Sequence, residues 1–141
     1  MTSTHWLLLP LVLHVVLTTV VGLMSLRLRF AAARKGKVKL RDIALDSGAW
    51  PEGARKFGNN FDNQFQVPML AYAGVATLLA TGTVDGVSIG LMWLFIVARV
   101  LHSIEHVTRN FVPRRMALFL VSYFAVFGLW MWFALRFFLI G

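Results

Sequence analysis

The 141-residue chain is 58% hydrophobic and only 14% charged, with a mean hydropathy of +0.71, which excludes an ordinary soluble domain of this size and points to a bilayer. Its net charge of +8 is concentrated in two loops, so it reports membrane topology rather than a polyanionic ligand, and no nucleic-acid partner is expected. With no cysteine in the sequence, disulfides, thiolate metal sites and a cysteine nucleophile are excluded, and any thiol chemistry must come from a substrate.

A hydrocarbon core of about 30 Å needs roughly 20 helical residues. Four stretches qualify, at 6–26, 60–80, 88–107 and 116–140, and they predict an all-α fold, a four-helix integral membrane bundle forming one transmembrane domain over 1–141. The first span carries Trp6 as an interfacial anchor and Pro10 in its first turns. His14 is its one odd residue and reads first as a bundle-facing hydrogen-bonding group; Gly22 and Ser25 permit close helix approach. The span lacks a basic leader, and Ala31-Ala32-Ala33 lies beyond Arg27 and Arg29, so it is expected to stay attached rather than be cleaved.

The connection from Arg27 to Phe57 is basic, with turn residues Ser47-Gly48, Trp50-Pro51 and Gly53, and suggests a topology-setting loop with a short interfacial helix around 39–45. Cations return in the third loop at Arg109, Arg114 and Arg115, whereas the second loop carries only Asp85. The positive-inside bias therefore predicts cytoplasmic first and third loops and both termini outside.

The second span begins with polar residues. Arg55, Asn59, Asp62, Asn63 and Gln66 fall three or four apart and form one helical stripe down to Pro68, which is expected to interrupt one backbone hydrogen bond. Amides acting as glue between helices would explain one or two such residues but not five. The third span repeats the pattern: Arg99, His102 and His106 share a face, with Glu105 and Arg109 close to it. Arg99 is too deep to snorkel and needs an anionic or carbonyl partner, for which Asp62, Glu105 or a bound carboxylate are candidates. His102 to His106 also fits H-x-x-E-H, a short metal-protease pattern that lacks a convincing third ligand; His14 and Asp62 are the nearest donors, and no metal is expected. The fourth span is aromatic all round, with Tyr123, Phe124, Phe127, Trp130 and Trp132 among its residues.

No serine-triad elbow, phosphate-cradling loop or dinucleotide fingerprint is present. The two polar faces instead imply a cytoplasm-facing cavity lined by Arg, Asn, Gln and His, suited to a small anionic ligand beside a lipophilic one.

Ala54-Arg55, Asn60-Phe61-Asp62-Asn63-Gln64-Phe65-Gln66-Val67-Pro68 and Ala98-Arg99-Val100-Leu101-His102-Ser103, set in four spans, resemble the MAPEG family, the membrane-associated proteins of eicosanoid and glutathione metabolism. The resemblance covers nearly the whole chain and suggests a bacterial-type member of the inner membrane. It implies a homotrimer that binds glutathione as co-substrate between subunits and acts as a transferase, peroxidase or isomerase on a lipophilic electrophile or membrane lipid. It also implies that Arg55 and Asn59, Asn60 or Asn63 hold the tripeptide and that Arg114 or Arg115 stabilises the thiolate; the cavity read from the two polar faces adds Gln66, Arg99, His102 and His106 to the expected binding residues. Gln66 stands where the family usually carries glutamate, and His102 and His106 where eukaryotic members tend to have tyrosines. The competing reading is a non-catalytic interaction module that keeps the bundle; an ion path through the two polar faces is the weaker third.

Overall fold

A computed structural model describes residues 2–44 and 46–140. The elements are α1 (Ser3–Arg34), α2 (Leu40–Ile43), a 3-10 turn (Ser47–Ala49), α3 (Glu52–Asn63), α4 (Val67–Thr81), α5 (Gly86–Val107) and α6 (Val112–Leu135), closed by a π-helical turn (Arg136–Ile140). Among the described residues there is no strand. Three helices among the described residues are long and apolar enough to cross a membrane, Ser3–Arg34, Gly86–Val107 and Val112–Leu139. The short interfacial helix expected near 39–45 is the four-residue α2; Leu45 lies outside the described residues.

The second hydrophobic stretch is two helices, and this is the main departure from the pattern in the sequence. α3 ends at Asn63 and α4 starts at Val67, with Gln66 between them at φ −88° and ψ −98°, outside helical geometry. Pro68 therefore sits in the first turn of α4, where a missing N–H is harmless, rather than interrupting a helix interior as the sequence suggested. The interruption falls just before it and frees backbone carbonyls from helical pairing.

Helix ends elsewhere follow local chemistry. α4 stops at Gly82, whose φ of +68° places it in the left-handed region, while Thr83 N donates to Leu78 O at 3.1 Å. α5 starts with a capping box in which the Asp85 carboxylate accepts from Ser88 N at 2.8 Å and Asp85 N donates to Ser88 Oγ at 3.0 Å. Asp85 also accepts from Trp132 Nε1 at 2.8 Å and Arg136 Nη1 at 2.9 Å, so one carboxylate ties the α4–α5 loop to the end of α6. Partial burial pushes this carboxyl upward, but the Ser88, Trp132 and Arg136 donors together outweigh it and hold it below the usual carboxylate range.

α5 and α6 form an antiparallel pair; α1 packs on α3 and α5, and α4 on α6. The apolar core runs through Leu7, Ala71, Val75, Met92, Phe95 and Leu129. Gly74 lets α4 approach α6 closely, since a Cβ there would lie 3.0 Å from Leu129 Cδ2, and Trp130 Nε1 donates across this contact to Leu70 O at 3.0 Å. The outer surface is apolar, as Val12, Leu23, Leu94 and Phe127 illustrate, which suits lipid rather than water.

Candidate functional site

The polar residues of α3 and α5 separate into a closed cluster and an open one. The closed cluster centres on Arg99, which is fully buried at 0% exposure. Its Nη2 donates to Asn63 O at 2.6 Å and to Gln64 Oε1 at 3.2 Å. In an uninterrupted helix Asn63 O would accept from residue 67, so the break between α3 and α4 supplies the carbonyl that solvates the guanidinium. Gln64 Nε2 donates to Asn60 O and Oδ1, both at 3.0 Å, and Asn60 Nδ2 donates to Ser103 Oγ at 2.6 Å. Because Gln64 Oε1 is an acceptor only, His14 Nε2 must donate to it at 3.1 Å; in the neutral ring His14 Nδ1 then accepts from the Tyr72 hydroxyl at 3.0 Å. Arg99 Nε and Nη1 have no hydrogen-bond partner among the described residues.

The open cluster lies where α3 ends and α6 begins. A cavity of about 300 Å³ is lined by Asn59, Asp62, Asn63, Gln66, His106 and Arg115. A narrower one of about 190 Å³ is lined by Asn63, Gln66, His102, Arg115 and the apolar Val112, Met116 and Phe119. Asn63, Gln66 and Arg115 are common to both walls. The α5–α6 turn fixes Arg115 there. Asn110 adopts φ +54°, which asparagine tolerates better than most residues; its N–H donates to Glu105 O at 2.7 Å and its side-chain oxygen accepts from Arg115 Nη1. His102 Nδ1 donates to Arg115 O at 3.0 Å. On the other side of the turn the Glu105 carboxylate accepts from Phe111 N at 3.3 Å and lies 3.6 Å from Arg114 Nε.

The family model for the MAPEG family matches residues 7–135. The chain belongs to the MAPEG family. Comparison with curated proteins and with solved structures finds no match. MAPEG membership, together with three helices able to cross a bilayer, makes this a helical membrane protein.

In this MAPEG protein the residues singled out from sequence occupy different places. Asn59, Asn63, Gln66, His102, His106 and Arg115 line the paired cavities. Asn60 and Arg99 are buried in the closed cluster. Arg55 is exposed and reaches Gly48 O at 3.5 Å, and Arg114, 61% exposed, pairs with Glu105 away from the cavities. The partners of Arg99 are carbonyl oxygens rather than Asp62 or Glu105, because the helix break places those carbonyls beside it. Histidines 102 and 106 meet edge-on, with ring centroids 5.6 Å apart, while Glu105 faces the turn, and no set of three metal-ligating groups gathers among the described residues. Sequence reasoning passed over Gln64, the hub of the closed cluster. Its signal was the four-residue spacing from Asn60, which places both amides on one helical face.

Proposed function

We propose that this protein is a membrane-bound glutathione-dependent transferase or peroxidase-like enzyme acting on lipophilic substrates. The observation that carries this reading is Arg115 lining two adjoining cavities together with the amides of Asn63 and Gln66. Glutathione is an anionic peptide bearing two carboxylates and one ammonium. The Arg115 guanidinium suits its carboxylates or its thiolate, the amides of Asn59, Asn63 and Gln66 suit its peptide groups, and Asp62 offers the ammonium the carboxylate that Gln66 lacks. The cavity walls contributed by Val112, Met116 and Phe119 suit an apolar co-substrate arriving from the bilayer.

A guanidinium beside the sulfur stabilises the thiolate over the thiol and raises the nucleophilic fraction. Arg115 is preferred to Arg114 for this role because Arg114 is turned to Glu105 and solvent. Asn60 and Arg99 then support the site from behind rather than touching the tripeptide, and Arg55 acts at the surface. The same reading includes a homotrimer in a bacterial inner membrane, with the basic end of the bundle in the cytoplasm.

Conjugation of glutathione to an aryl halide by the purified protein is the direct test. Arg115→Ala is expected to lower the rate tenfold or more, as loss of an electrostatic stabiliser does, while Arg114→Ala changes it less than twofold. Equal rates in wild type and Arg115→Ala would overturn the mechanism. No conjugation and no glutathione binding by the wild type would overturn the enzyme reading and leave the accessory module.

A further inference from the structure

His102 is only 3% exposed, and its two ring nitrogens are in opposite situations. Nδ1 faces Arg115 O at 3.0 Å. A carbonyl oxygen only accepts, so Nδ1 carries the hydrogen, and in the neutral ring Nε2 holds a bare lone pair. Nε2 is buried and has no hydrogen-bond partner among the described residues. A buried acceptor left unsatisfied is unfavourable, and this one belongs to a residue that walls the narrower cavity together with Arg115. The ring is held on its other sides by Phe119 at 5.9 Å and His106 at 5.6 Å between centroids, so the orientation of its lone pair is built into the packing.

We propose that His102 is the base that takes the thiol proton of the bound co-substrate. This rests on the reading of the paired cavities as a glutathione site. The S–H bond breaks as its proton passes to His102 Nε2, giving an imidazolium that still donates from Nδ1 to Arg115 O, and the thiolate remains beside the Arg115 guanidinium. The sulfur lone pair then forms the S–C bond to an aryl halide, the halide leaves with its bonding electrons, and His102 returns the proton to water. One residue thus supplies both a proton acceptor and, through Arg115 O, a fixed position for the start of α6. The charged or titratable groups around the ring are Arg115 from α6 and Arg99 and His106 from α5; the cavity wall from the α3–α4 junction is formed by the neutral amides of Asn63 and Gln66.

The test combines proton counting on the wild type with a pH profile of His102→Gln, whose amide N–H can replace the donor to Arg115 O. Glutathione added to the wild type at pH 7 is expected to give the ultraviolet absorbance of a thiolate with less than half a proton released to solvent, since the imidazole keeps it. For His102→Gln, kcat/KM at pH 7 is expected to fall at least tenfold, with the deficit shrinking above about pH 8.5, where a free thiol ionises unaided. Three results would each overturn the proposal while leaving the glutathione reading intact: release of a full proton on binding, absence of the thiolate band, or a His102→Gln deficit that is absent or constant with pH. Should His102→Gln fail to fold, the wild-type proton count decides alone. Failure of wild type to bind glutathione removes both readings.

Discussion

The Arg99 cluster and the Arg115 mouth draw on the same two helices, α3 and α5, yet one is closed and the other open. Around Arg99 the polar groups face one another: the guanidinium meets Asn63 O and Gln64 Oε1, and the chain of bonds runs on to His14 and Tyr72. Around Arg115 the side chains of Asn59, Asn63 and Gln66 face empty volume. The difference teaches that intramembrane polarity has two uses in this molecule. Polar residues around Arg99 stabilise the interrupted backbone, and those around Arg115 would serve the ligand proposed above. Asn63 belongs to both, giving its carbonyl to Arg99 and its side chain to the cavity, where Nδ2 lies 3.5 Å from His106 Nδ1.

Arg99→Leu should separate the two regions most sharply. It removes two charge-assisted hydrogen bonds and leaves Asn63 O without its donor, so unfolding in detergent is expected to be easier by about 3 kcal/mol. A midpoint unchanged or raised would mean that desolvation of the guanidinium outweighs its bonds, and Arg99 would then belong with the ligand-facing groups. Next in size, Gly74→Val places branched carbons against Leu129 and Trp130 and is expected to cost about 2 kcal/mol by overpacking. Glutathione affinity of the folded fraction should stay within twofold, because this contact lies apart from both polar regions; a larger change would show that they are coupled through the core.

The smallest expected effect is at the far end of the bundle. The Asp85 carboxyl lies below its ordinary value of 3.8 in the folded protein, so its contribution to stability is fully present above that value and is lost as pH falls through the lower folded value. Asp85→Asn keeps a cap acceptor but loses the charge facing Arg136. It should destabilise by about 0.5 kcal/mol at pH 7, and the difference from wild type should vanish on acidification. Thermal unfolding from pH 7 to pH 2.5 measures both; a difference that persists at the acid end would assign the effect to the cap geometry instead of the charge.

Hydropathy made the helical membrane fold legible, because apolar windows long enough to cross a bilayer are rare in soluble chains. The break at Gln64 to Gln66 was not, since Pro68 marks an interruption without fixing on which side of it the helix stops. Spacing placed Arg99, His102 and His106 on one face, which is true in angle. Seven residues nevertheless span about 10 Å along a helix axis, enough for Arg99 to reach the break while the histidines line the mouth. The choice between Arg114 and Arg115 was equally invisible, because adjacent helical residues point about 100° apart and only the turn at Asn110 decides which one faces inward.

The length of α1 has a consequence for how solutes arrive. Its 32 residues extend about 48 Å, well beyond a hydrocarbon thickness of about 30 Å. Most of the surplus is the stretch from Arg27 to Arg34, about 12 Å long, and Arg29 there lies against Gly58 of α3 and the Trp50 ring. A basic end of this kind suits headgroup level, where a hydrophilic molecule would keep its hydration shell on reaching the rim and an oily one would approach sideways from the acyl chains.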